Sequence, residues 1–239
     1  MKPIVYEENN LMKVLILANG QPPSSEIAHK HAHIHDKLIA TDGAADIAVR
    51  LGLSPDVITG DFDSIERLDN VRVVFPNTEI VRTPDQDYGD LEKALLYAIK
   101  QGAIEITIIG AGNRLSGRGG GRVDHMLANY MLLVQYHNRV PILRIIDDWS
   151  EVRVISGTDH AQGELIIETK SGDRVSLISL VNNTVVTVTG VKWPLDNAAL
   201  SVGTHAISNE AQENRVFVKI HSGVVFVCHL PGREEKTEN

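Results

Sequence analysis

The chain has 239 residues, enough for one large domain or two small ones, and its 43% hydrophobic and 23% charged residues are globular composition. A formal net charge of −8 argues against a general binder of nucleic-acid backbones and against a polybasic membrane anchor, so an anionic ligand would need a local device such as a metal ion or backbone amides. One cysteine, Cys228, excludes an intramolecular disulfide framework and suits a reducing cytoplasm, and no apolar stretch is long enough to span a bilayer.

The opening MKPIVYEENNLMK lacks the long apolar core of a signal peptide and reads as a loose extension over residues 1–11. From Lys13 strands and helices alternate. KVLILANG is a buried strand running into the Asn19-Gly20 turn. SSEIAHKHAHIH is a helix capped by Ser24 or Ser25. KLIAT is a strand, and DGAADIAVRLG is a helix closing at Gly52. PDVITG and EIVRT are strands. GDLEKALLYAIKQG is the clearest helix, with Leu91, Ala94, Leu95, Ala98 and Ile99 on one face. AIEITIIGA is a strand, RVDHMLANYMLLVQYH a helix and PILRIID a last strand. Such alternation predicts a three-layer α/β domain over residues 12–146, its sheet mostly parallel and covered on both faces.

After Asp147 the pattern changes. EVRVIS, ELIIET, RVSLISL, TVVTVTG, RVFVKIH and GVVFVCHL are short, Val-rich and separated by turn residues. They predict an antiparallel β-sandwich over residues 147–232, followed by a charged tail at 233–239.

Several strands of the first domain end in Asp. They deliver Asp42, then Asp61 and Asp63, then Asp85, Asp87 and Asp90, while Asp124 opens a helix. In an open α/β sheet the ligand crevice lies at the carboxyl ends of the strands, so these acids are expected at one rim. Their mutual repulsion is relieved by a hard cation with oxygen ligands, and Mg²⁺ is the usual choice where phosphates complete the shell. In extended chain Asp61 and Asp63 would point the same way, with Phe62 turned into the core and Gly60 freeing the backbone. A single Asp at a helix start is more often only a cap, but the Asp61/Asp63 pair exceeds what one cap needs.

GAGNRLSGRGGGRVDH, residues 110–125, joins a strand to a helix; it is read either as a phosphate cradle with Arg114, Arg118 and Arg122 or as a flexible surface loop. His29, His31, His33 and His35 form i, i+4 pairs without a completing carboxylate or cysteine motif, and solvated helix faces are expected. Cys228 lies in an apolar strand and is read as core.

Taken together, LILANG, TDGAAD, LGLSPDVITGDFDSI, TPDQDYGDLEKAL, GRVDHMLANYMLL and GVKWPLDNAALSVGTHAISNE resemble the thiamine pyrophosphokinase (thiamine diphosphokinase) family, in the right order over nearly the whole chain. That resemblance implies an α/β domain followed by a β-sandwich, a homodimer with active sites at the subunit interface, and transfer of the diphosphate of ATP to the thiamine hydroxyl with release of AMP. It implies Mg²⁺ at Asp61, Asp63 and Asp90, which are also the catalytic positions. ATP and its phosphates are implied at Asn19, Asp42, Gly43, Asp87 and Arg122. Thiamine is implied at Gln86, Asp124, Trp193, Ser208 and Asn209, with Trp193 stacking from the partner subunit; a cationic thiazolium suits an indole face. The rim carboxylate that would take the hydroxyl proton stays open. No nucleic acid or membrane is expected as a partner.

Two departures stand out. Gly89 occupies a position where the family usually carries Thr or Ser, and the arginine-bearing loop before Arg122 is longer than usual. Two alternatives stand beside it: a diphosphokinase acting on a hydroxymethyl pterin, against which KWPL and the sandwich favour thiamine, and a thiamine- or nucleotide-binding regulator without turnover.

Overall fold

The computed structural model describes residues 11–62, 65–112, 122–157 and 163–232. The chain divides into two compact units, Met1–Asp148 and Trp149–Asn239.

The first unit contains strands β1 (Lys13–Leu17), β2 (Lys37–Thr41), β3 (Val57–Gly60), β4 (Glu79–Arg82), β5 (Glu105–Ile109) and β6 (Ile142–Ile146). Its helices are α1 (Ser25–Ile34), α2 (Ala45–Leu51), α3 (Ile65–Val74), α4 (Asp90–Lys100) and α5 (Val123–Tyr136). The strands lie in the order β6-β5-β1-β2-β3-β4, and every described pairing among them is parallel. β1, β2, β3 and β5 are buried almost throughout, as strands covered on both faces must be. One face packs Leu15, Leu17, Leu38, Ala40 and Ile58 against Ile47 and Ala48 of α2 and Val71 of α3. The opposite face of β1, β2 and β3 takes α4, whose Leu91, Ala94, Leu95 and Ala98 are buried outside that cluster.

Ser24 caps α1, its hydroxyl accepting from Ile27 N–H at 3.4 Å. The region read as one helix from Asp42 divides into a 3-10 turn, Asp42–Ala44, and then α2. α3 had no counterpart in the sequence reading.

The histidines correct the expectation of solvated helix faces. His31 and His35 are buried, because their side of α1 meets the sheet. Arg144 Nε donates to Thr107 Oγ1 at 3.0 Å, and His35 Nε2 lies 2.9 Å from that hydroxyl. His35 Nδ1 lies 2.7 Å from the His31 carbonyl, which can only accept, so Nδ1 carries the proton and Nε2 accepts from Thr107. Burial lowers the His35 pKa, against the opposing pull of this backbone bond and of Glu105. The arrangement is structural.

The second unit holds β7 (Glu151–Ser156), β8 (Glu164–Glu168), β9 (Arg174–Ser179), β10 (Thr184–Thr189), β11 (Leu195–Leu200), β12 (Ala206–Glu210), β13 (Arg215–Ser222) and β14 (Val224–Leu230). Two antiparallel sets, β12-β9-β14-β7 and β11-β10-β13-β8, pack around Val175, Leu177, Val186, Val188, Val216, Val218 and Val225. This is the expected sandwich. Cys228 is half-buried in β14, and burial pushes its thiol pKa up to about 11. No helix among the described residues is long and apolar enough to cross a membrane.

Asp173 pins the end of β14. Its carboxylate accepts from Gly232 N–H at 2.7 Å, Lys170 N–H at 2.9 Å and His229 Nε2 at 2.9 Å. Burial alone would raise its pKa, but these donors prevail and hold it below the ordinary value. A depressed carboxylate stabilises the fold above the unfolded-state pKa and loses that effect as pH falls through the folded value. Asp173→Asn is therefore predicted to cost about 1.5–3 kcal/mol at neutral pH. The gap to the wild type should narrow below about pH 4, measured by urea unfolding across pH.

Candidate active site

The acidic rim is built by close backbone approach at strand ends. Asp42 follows β2 directly and is 8% exposed. Its carboxylate lies where a side chain of residue 60 would lie: a Cβ there would be 2.5 Å from Asp42 Cγ and 2.6 Å from Oδ2. Only glycine allows this contact. Gly43 stands in the same relation to Asn19, whose carboxamide occupies the space of the missing side chain. The ends of β1, β2 and β3 thereby bring Asn19, Asp42, Gly43, Gly60 and Asp61 to one place. β4 joins them, with Thr83 N–H donating to Gly60 C=O at 2.8 Å.

Asp61 is half-buried there, while Asp63 lies outside the described residues. Phe62 is buried as expected, but at φ 49°. That left-handed backbone is uncommon and strained for an aromatic residue. It overturns the assumption of extended chain through Phe62, because the strand ends at Gly60.

The next station is more open. Asp87 N–H donates to Asp85 Oδ1 at 2.9 Å, a local turn that leaves Gln86 and Asp87 exposed. Asp90 begins α4 with its side chain 48% exposed, 3.6 Å from the ammonium of Lys93, whose own side chain is 6% exposed. A lysine this buried is unusual. It was missed in the sequence because it sits inside an amphipathic helix; the signal was its place one turn after Asp90. Arg122 and Asp124 are exposed and paired, with Arg122 Nη2 to Asp124 Oδ2 at 2.8 Å. The Arg122 hydrogen bond holds the Asp124 carboxyl well below the usual range. The loop residues Arg114 and Arg118 lie outside the described residues.

Three further groups were not foreseen. Thr41, Thr59 and Thr83 lie at or just past the ends of neighbouring strands, and each has a buried hydroxyl without a hydrogen-bond partner among the described residues. Threonines in strands read as β-propensity, so nothing local marked these hydroxyls.

In the second unit the sixteen-residue gap between Trp193 and Asn209 is closed by reciprocal bonds: Trp193 N–H donates to Asn209 Oδ1 at 3.1 Å, and Asn209 Nδ2 donates to Trp193 C=O at 2.7 Å. Ser208 sits where the β12–β9 register shifts, at φ 59°, with its N–H donating to Ser176 Oγ at 2.8 Å. This bulge re-aims the strand beside Trp193. The indole is 57% exposed and carries the Lys192 ammonium 5.0 Å from its centroid.

Among the described residues, no three His, Cys, Asp or Glu side chains gather closely enough to hold a metal ion by themselves. Asp61, half-buried beside Gly60 and the Asp42 carboxylate packed on it, nevertheless fits a hard cation that takes a few carboxylate oxygens and completes its shell from phosphates. A cage of soft ligands is not what these residues offer.

An open parallel sheet with acids at the carboxyl ends of its strands has the architecture of α/β enzymes that take their ligands at those ends. Residues 28–144 match the model of the thiamin pyrophosphokinase catalytic domain, and residues 164–225 match that of the thiamin pyrophosphokinase vitamin B1 binding domain. Thiamin pyrophosphokinase 1 of Caenorhabditis elegans is 28% identical over 96% of this chain and 94% of its own length. Thiamine pyrophosphokinase 1 of rice, Oryza sativa subsp. japonica, is 30% identical over 76% of this chain and 69% of its own. The crystal structure of thiamine pyrophosphokinase from Bacillus subtilis superposes with a TM-score of 0.75 at 25% identity, covering 92% of this chain and all (100%) of that one. The chain belongs to the thiamine pyrophosphokinase family, a family of ATP-dependent diphosphotransferases. Neither the pterin acceptor nor the regulator without turnover is favoured by these matches.

Gly89 offers a direct test of the local reading. It is the N-cap of α4 at φ −69° and ψ 157°, with no side-chain cap and open space where a Cβ would stand. Nothing there requires glycine. Gly89→Ser is predicted to stabilise the protein by a few tenths up to about 1 kcal/mol, through capping and a less flexible unfolded chain, measured by urea unfolding.

Proposed function

We propose that this chain transfers the diphosphate of ATP to the hydroxyl of thiamine, giving thiamine diphosphate and AMP, with Mg²⁺ as cofactor. The observation that carries this reading is the packing of Asp42 onto Gly60 beside Asp61, within the stretch matched by the catalytic-domain family. Asp61, Asp63 and Asp90 would hold the Mg²⁺, which when bound supplies charge neutralisation at the phosphate oxygens.

The chain's own residues do the rest by positioning and electrostatics. Asn19, Asp42 and Gly43 shape the floor on which the phosphates lie. Lys93 presents an ammonium held beside Asp90, ready to offset charge on the transferred group. Arg122 exchanges Asp124 for a phosphate, and Asp87 lies alongside. That exchange leaves Asp124, with Gln86, to face thiamine. The thiamine hydroxyl attacks the β-phosphorus in line, the bond between that phosphorus and its α-bridging oxygen breaks, and AMP departs. A rim carboxylate takes the hydroxyl proton.

Trp193, Ser208 and Asn209 belong to the thiamine end. We place them as a contribution from a second copy in a cytoplasmic homodimer, the indole stacking on the cationic ring.

Two measurements test this. Incubation with ATP, Mg²⁺ and thiamine should yield thiamine diphosphate and AMP by mass, and Asp61→Asn should lower the rate by about a hundredfold or more while leaving the circular dichroism unchanged. Near-normal turnover in that variant removes Asp61 from the chemistry. Trp193→Ala should also be poorly active, through a raised KM for thiamine. Mixing it with Asp61→Asn should restore part of the activity, because a mixed dimer holds one intact site; no recovery, with subunit exchange demonstrated, removes the shared site.

A further inference from the structure

Thr41, Thr59 and Thr83 form a row. Register pairs Thr41 with Thr59 and Thr59 with Val81, and Thr83 follows Val81 by two residues while its N–H continues the ladder onto Gly60. Registered residues of parallel strands share a face, so the three side chains stand on one side of the sheet. That side is the one opposite Ala40 and Ile58, and it takes α4. Thr59 is 0% and Thr41 2% exposed, while Thr83 is half-buried at the lip.

Each hydroxyl is buried and has no hydrogen-bond partner among the described residues. An unmet buried donor is costly, and valine has nearly the same shape without that cost. Three such groups on adjacent strands, at the strand ends that carry the Asp42–Gly60 contact on the opposite face and beneath the helix that carries Lys93, are not explained by packing. Hydroxyls and an ammonium are donors, and donors in a row suit oxygen anions.

We infer that these threonines form a hydroxyl wall that is completed only when the polyphosphate of the nucleotide is bound. Thr83 donates to a phosphate oxygen at the lip. Thr41 and Thr59, behind it, reach the same anion through ordered water. The free protein thus carries a local instability that the ligand removes. This rests on the rim being the nucleotide site proposed above.

The test is calorimetric titration with Mg²⁺ and the α,β-methylene analogue of ATP, whose bridge cannot be cleaved, alongside thermal unfolding without nucleotide. Thr41→Val, Thr59→Val and Thr83→Val should each unfold at the same or a higher temperature than the wild type when free. Each should bind the analogue about tenfold more weakly, and Thr59→Ser, which keeps the hydroxyl, should bind as the wild type does. Unchanged affinity in the valine variants overturns the inference while leaving the nucleotide site standing. A fall in the free-state unfolding temperature of the valine variants overturns it too, because the hydroxyls would then be serving the fold. Failure of the wild type to bind the analogue defeats the underlying reading of the site, and the wall with it.

Discussion

One close contact organises the rim: the Asp42 carboxylate lies in the space that any side chain at residue 60 would fill. It forces the end of β3 to be glycine and brings the backbone of Asp61 against a second acid. Charge of one sign is thereby gathered in a partly buried place, where attraction for a counter-ion is stronger than in water. The chain then turns through a left-handed Phe62, whose ring is anchored in the core beside Val71 and Phe75. Strain at a strand end, held by a packed aromatic, is a means of fixing an acid's direction. The rest of the first unit serves to hold these strand ends in register.

Much of this was legible in the residues. Strands buried on both faces write themselves as continuous apolar runs, and β1, β2, β3 and β5 were read that way. α4 was clear because its apolar residues recur on one face. α3, IERLDNVRVV, has no such stripe and was invisible, since its place depends on tertiary packing of Val71 rather than on pattern. β11, LDNAAL, and β12, AISNE, are poor in β-branched residues and bury only Leu200, so neither propensity nor alternation announced them.

The site was legible unevenly for similar reasons. Acids at strand ends could be placed on one rim by topology alone. The partner of Gly60 could not, because a through-space contact between residues 42 and 60 leaves no local trace. The buried state of Lys93 and the three threonine hydroxyls is equally a property of packing. In the second unit, the bulge at Ser208 and the reciprocal bonds of Trp193 and Asn209 depend on how β12 registers with β9, which the residues did not disclose. The histidines show the converse: their spacing suggested chemistry, but the sheet buries two of them in a network that needs no ligand.

The most direct check on this account is the position of the metal itself. Crystals grown with Mn²⁺ and α,β-methylene ATP, measured at the manganese absorption edge, should show an anomalous peak at the carboxyl ends of β2 and β3, within coordination distance of Asp61 and of a phosphate oxygen. A peak found only elsewhere, with the nucleotide bound away from these strand ends, would contradict it.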